Sequence, residues 1–114
     1  MGAEIIPFAL PAERIHLPSF GMVKRIQDLV ANSYGIPSES MRSECRLRVY
    51  AWPRQVAMYL ARQITGKSYP CIGREFGNRN HATVIHAVRA VELRMAVAPL
   101  YRADVEALRE ALRV

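Results

Sequence analysis

Residues 69–95, YPCIGREFGNRNHATVIHAVRAVELRM, read as two helices joined by a tight turn, with polar and basic side chains gathered where the second helix begins. Ser68 can cap the first helix, and Pro70 sits in its first turn, where a missing N–H costs nothing. Ile72 and Phe76 are four apart and face inward together. Gly77-Asn78-Arg79 supplies the turn, and Asn80 suits the cap of the following helix. There Val84, Val88, Val91 and Met95 fall on one stripe at helical spacing. Ala82, His86 and Arg89 lie away from it, with His81 and Thr83 near the N-terminus. The layout is that of a helix-turn-helix, whose second helix can enter a DNA major groove and read bases with its first residues.

Working outward, the pattern before this motif is helical too. From Ser19, Val23, Ile26 and Val30 make a stripe that Met22 and Leu29 widen, and Gly35 closes the helix. Pro37 and Ser38 open a short helical turn through Met41. Residues 42–51, RSECRLRVYA, form a basic connection. A longer helix is expected from about Trp52 to Thr65, with Pro53 in its first turn and Gly66 as its stop. Trp52, Val56, Tyr59, Leu60 and Ile64 share its buried side, and Arg54, Gln55, Met58 and Arg62 the opposite one. Pro99 ends the second motif helix. Over residues 101–113 a Val105/Leu108/Leu112 stripe predicts a final amphipathic helix. That stripe suits core packing, with a homodimer contact as the alternative. Residues 1–18, with Pro7, Pro11 and Pro18, read as an extended arm, residues 19–98 as the DNA-binding domain, and residues 99–114 as a helix packed on it. No strand-like alternation survives, so the expected class is all-α.

The chain has 114 residues, enough for one domain with a real core, and its net charge of +6 points to a polyanionic partner. Cys45 and Cys71 stand far apart without a CxxC, so a reducing compartment is expected and a disulfide framework is not. IIPFALP is too short and Pro-broken for a membrane or signal segment, which leaves a cytoplasmic, nucleoid-associated protein as the expectation. His81 and His86 are five apart with no carboxylate or Cys at ligand spacing, so no metal or other cofactor is expected. GREFG, Gly73 to Gly77, has no preceding strand and is not a phosphate loop. No GxxxxGK[ST] motif occurs, and no enzymatic activity is expected.

From about Met22 to Leu93 the chain resembles the C-terminal DNA-binding domain (domain IV) of the bacterial replication initiator DnaA. WPRQVAMYLARQITGKSYPCIGREFG and RNHATVIHA carry the likeness, against the family's PRQ-x-AMYLA-x-x-LT…S-x-x-x-IG-x-x-FG-x-RDHTTV-x-HA pattern. The resemblance implies a small helical fold of the DnaA domain IV or Trp-repressor kind, standing alone without an ATPase module. It also implies sequence-specific binding of double-stranded DNA at DnaA-box-like sites, in replication initiation or transcription regulation. Arg46 matches the arginine that enters the minor groove. Asn80, His81 and Ala82 match the base readers, and Pro70 a residue that touches thymine methyls. Arg48, Gln55, Arg62, Thr83 and His86 match phosphate contacts, and Arg79 the basic residue of the turn. Arg54 joins the phosphate set from its place on the polar stripe, and Lys67 from its place beside the first motif helix. The chain departs from the pattern at Asn80, where Asp is usual, at Ala82, where Thr is, and at Trp52, where arginine is frequent. The alternative reading is a protein-interaction module on the same fold with weak or nonspecific DNA binding.

Overall fold

Gln27 is a polar residue on the apolar face of the first helix, and the fold buries it to 2 % exposure beside Val23, Ile26 and Val30. This helix, α1 (Met22–Tyr34), begins the part of the chain that the computed structural model describes, residues 21–113. The arm expected over residues 1–18 and the helical start expected at Ser19 lie outside the described residues. After α1 come a 3-10 turn (Ser38–Met41), α2 (Arg48–Thr65), α3 (Tyr69–Glu75), α4 (His81–Val97) and α5 (Pro99–Ala111). Among the described residues there is no strand, and the class is all-α.

Two boundaries differ from the sequence expectation. The basic connection is shorter, because α2 starts at Arg48 rather than Trp52. Tyr50 and Ala51 already donate their N–H groups to the Leu47 carbonyl, at 2.9 and 2.7 Å. Pro53 therefore lies inside the helix and leaves the Val49 carbonyl without its usual donor. Val49 is exposed, so water can serve that carbonyl. The last helix starts at Pro99, two residues early, with proline in its first turn, where the ring fits.

The larger correction concerns which faces of α2 are buried. Residues 56–61 are all buried, Met58 at 1 % and Arg54 at 4 %, whereas Trp52 is 42 % exposed. A helical wheel assumes one buried face. Here α2 is the central helix, packed on α1 along one side and on α4 along another, with α3 near its end. The expected polar stripe at Arg54 and Met58 is thus inside the protein.

The core joins Val23, Ile26 and Val30 of α1, Leu60 of α2, Ile72 and Phe76 around α3, and Val84 and Val91 of α4. Val105, Leu108 and Leu112 close it from the α5 end. That stripe is 1–8 % exposed, so packing within the chain uses it and it offers no free dimer face. Each such side chain contributes roughly 1.5–3 kcal/mol by leaving water. The resulting rigid base holds α4 with its N-terminus outward.

Candidate nucleic-acid interface

The helix-turn-helix is built from local hydrogen bonds that its sequence specifies. Ser68 Oγ accepts from the Cys71 N–H at 3.2 Å, and Pro70 lies exposed in the first turn of α3. Beyond Phe76 the chain reverses through Gly77 and Asn78, both left-handed, with φ of 84° and 58°. Arg79 N–H then donates to the Gly73 carbonyl at 2.8 Å, drawing the turn against α3 so closely that a side chain on Gly73 would overlap the Arg79 carbonyl. Asn80 Oδ1 accepts from the Ala82 N–H at 2.7 Å and caps α4. His81, Ala82 and Thr83 are exposed, while Val84, Ala87, Val88 and Val91 pack inward.

The connection that carries Arg46 is anchored by contacts far apart in sequence. Arg79 donates to the carbonyls of Phe76 and Ser43, joining the motif's turn to the basic loop. Arg42 Nη1 donates to Gln27 Oε1 at 2.8 Å, and Gln27 Nε2 donates to the Glu75 carbonyl at 2.9 Å. The left-handed Gly77 lets the Arg42 carbonyl approach where any side chain would collide. Arg46 itself stays exposed, with Glu44 exposed two residues before it.

Arg54 is buried rather than on an exposed polar stripe. Its Nε and Nη2 donate to the Ser40 carbonyl at 3.2 and 2.7 Å, and Nη2 also reaches Ser43 Oγ at 3.2 Å. Burial first, and the Arg79 charge second, pull its guanidinium down to about 10, so it stays charged at neutral pH. Nε and Nη2 thus hold the loop, and the residue as a whole is 4 % exposed. Burial also lowers Arg79, partly opposed by Glu44 and reinforced by Arg46.

Arg46, Gln55, Arg79, Thr83 and His86 meet around one open cleft of about 510 Å³, with Arg54 and Met58 beneath and Glu44 at its edge. The loop, α2, the turn and α4 thus present one mainly cationic surface. His86 is one helical turn beyond Ala82 and Thr83, so the exposed start of α4 continues this face.

The remaining sites lie outside the cleft. Arg48 is exposed over Trp52, 5.5 Å from the ring centroid. Arg62 Nη1 donates to the Lys67 carbonyl at 2.6 Å, and its guanidinium lies 4.3 Å from the Tyr69 centroid. Lys67 pairs with Glu75 at 2.8 Å. Sequence reasoning missed Gln27, Ser40, Ser43 and Arg94. Only Gln27 carried a signal, as a polar residue on an apolar helix face.

Cys45 and Cys71 are both free. Among the described residues no group of three or more His, Cys, Asp or Glu could hold a metal, and no helix is long and apolar enough to cross a membrane.

The family described as the bacterial dnaA protein helix-turn-helix matches residues 23–91. The chromosomal replication initiator protein DnaA of Sphingopyxis alaskensis is 50 % identical over 91 residues, which is 79 % of this chain and 20 % of that protein. Its counterpart in Anaplasma marginale is 59 % identical over 70 residues, 61 % of this chain and 15 % of that protein. A solved DNA replication initiation factor superposes with a TM-score of 0.75 at 31 % identity, covering 89 % of this chain and 31 % of that one. The chain spans about a fifth of the length of these curated relatives.

Proposed function

The chain belongs to the bacterial DnaA helix-turn-helix family, and on that premise we propose that it binds double-stranded DNA at DnaA-box-like sites and acts in replication initiation. In this reading the start of α4, through Asn80, His81 and Ala82, lies in the major groove with Pro70 beside it. Arg46 enters the adjacent minor groove, where a narrow A·T-rich segment concentrates negative potential. Gln55, Thr83, His86 and Arg79 face phosphates across the cleft, and Arg48, Arg62 and Lys67 add contacts at its flanks. Such contacts fix orientation, while the base readers supply the sequence preference. Arg54 serves mainly to hold the loop, through Nε and Nη2, which leaves only Nη1 for a phosphate.

One observation carries the reading: Arg46 and α4's Thr83 and His86 border the same cleft, on elements locked together by Arg79 and Arg42. The test is an anisotropy titration of a box-bearing duplex against a scrambled one at two salt concentrations. Tighter binding of the box at both is expected. Equal affinities that both collapse with salt would reduce the activity to nonspecific binding.

The interaction-module reading draws on Leu93, Val97 and Leu100, which stand 67–83 % exposed where α4 meets α5. Absence of duplex binding even at low salt would select it. Competition with a full-length initiator for box duplex separates a replication role from a transcriptional one.

A further inference from the structure

Gln55 lines the cleft, and a residue from another helix determines which end of its amide faces outward. Arg94, in the last turn of α4, donates from Nη1 to Gln55 Oε1 at 2.8 Å. The same guanidinium lies over the Trp52 ring, 4.2 Å from its centroid. Trp52 precedes Gln55 by three positions on α2, so ring and amide are neighbours along one helix face. The indole thereby supports the guanidinium while the guanidinium engages the amide.

A primary amide has one accepting end and one donating end, and phosphate oxygens only accept. With Oε1 turned to Arg94, the amide's NH₂ group is the end left for the cleft. The reverse orientation would set an oxygen against a phosphate and place Nε2 against a guanidinium, two repulsive contacts at once. A charged donor on Oε1 also polarises the amide and strengthens its N–H groups as donors.

We infer that Arg94, supported by Trp52, is a positioning residue that holds Gln55 with its NH₂ group presented to a backbone phosphate. The inference rests on the DNA-binding reading and deepens it. It accounts for the tryptophan in this position, whose flat face orients a cation that a second cationic side chain there would repel.

The test is a double-mutant cycle read by duplex titration over a salt series. Arg94→Met keeps an apolar chain against the indole but removes the donor. Alone it should weaken box and scrambled duplexes alike by about fivefold, the scale of one hydrogen bond. In a Gln55→Ala background it should cost less than about twofold, because the contact it serves is already gone. The slope of log K against log salt should hold, since a neutral amide displaces no counterion. A slope lower by about 0.9 would make Arg94 itself the phosphate contact, and equal losses in both backgrounds would make it an ordinary inter-helix tie; either result overturns the inference. Gln55→Glu keeps an acceptor for Arg94 and so keeps the fold, but replaces the outward donor with an acceptor. It should lose more than about tenfold on both duplexes, and affinity equal to the unmodified chain's would also overturn the inference. Failure of the unmodified chain to bind any duplex would sink the DNA reading itself, a result distinct from all of these.

Discussion

The Arg54 guanidinium, on α2, meets the Ser40 carbonyl oxygen with two donors, Nε at 3.2 Å and Nη2 at 2.7 Å, in a setting where the arginine is 4 % exposed. That pairing fixes the start of the basic loop to the central helix. Arg54→Ala should therefore cost about 2–3 kcal/mol of stability, since it removes both charged donors from the Ser40 carbonyl and leaves a cavity beside it. Urea denaturation measures this. Unchanged stability together with a salt slope lower by about one would return Arg54 to the phosphate contacts.

Gly77 occupies a position that no other residue fits. Its φ of 84° strains any side chain, and a Cβ there would overlap the Arg42 carbonyl. Gly77→Ala should cost about 2 kcal/mol or more, from left-handed strain plus displacement of the loop. Displacement also moves Arg46 relative to α4, so the preference for a box duplex should fall further than overall affinity does. Asn78→Gly, one residue on, should be nearly neutral, because the left-handed φ of 58° suits glycine as well. A loss from Asn78→Gly as large as that from Gly77→Ala would mean that backbone strain alone does not explain the turn.

The motif was legible because its signals are local. Ser68, Asn80, Gly35 and Gly66 cap or stop the helices where their residue types suggest. The Val84/Val88/Val91 stripe packs inward as its spacing requires. Arg54, Met58 and Trp52 were misread for a single reason: α2 packs against helices on more than one side, and periodicity alone does not say how many neighbours a helix has. The loop's anchors were illegible for a different reason. Gln27 meets the Glu75 carbonyl across 48 residues and Arg79 meets the Ser43 carbonyl across 36, and no short-range pattern reports such pairings.

Arg46→Ala and Arg62→Ala should separate base reading from attachment. Arg46 is exposed beside the cleft, so its loss should narrow the ratio between box and scrambled affinities. Arg62 is held by the Lys67 carbonyl and the Tyr69 ring, and its removal should weaken all duplexes about equally. It should also cost about 1 kcal/mol of stability, because the carbonyl bond and the stacking both go. Competition titrations and denaturation on the same preparations check both. Equal loss of discrimination from the two variants would mean that these roles are wrongly assigned.

Among the residues proposed to read bases, Asn80 is the one whose chemistry the structure narrows most. As a sequence symbol it can donate and accept, which suits adenine's N6 and N7. In the fold Oδ1 is engaged by the Ala82 N–H at 2.7 Å, and this leaves the NH₂ group as the end free for a base. A donor favours base edges that accept, such as guanine O6 and N7 or thymine O4, and disfavours cytosine, which offers its N4 amino group. Asn80→Asp should keep the cap, and hence stability to within about 0.5 kcal/mol, while turning the outward group into an acceptor. Its preference at the facing base pair should move toward cytosine by about 1–3 kcal/mol. Asn80→Ala should lose about 1 kcal/mol of stability and flatten the preference. Four duplexes that differ only at that pair, titrated against all three proteins, decide the matter. An identical ranking for the unmodified chain and Asn80→Asp would show that this side chain caps its helix without reading the DNA.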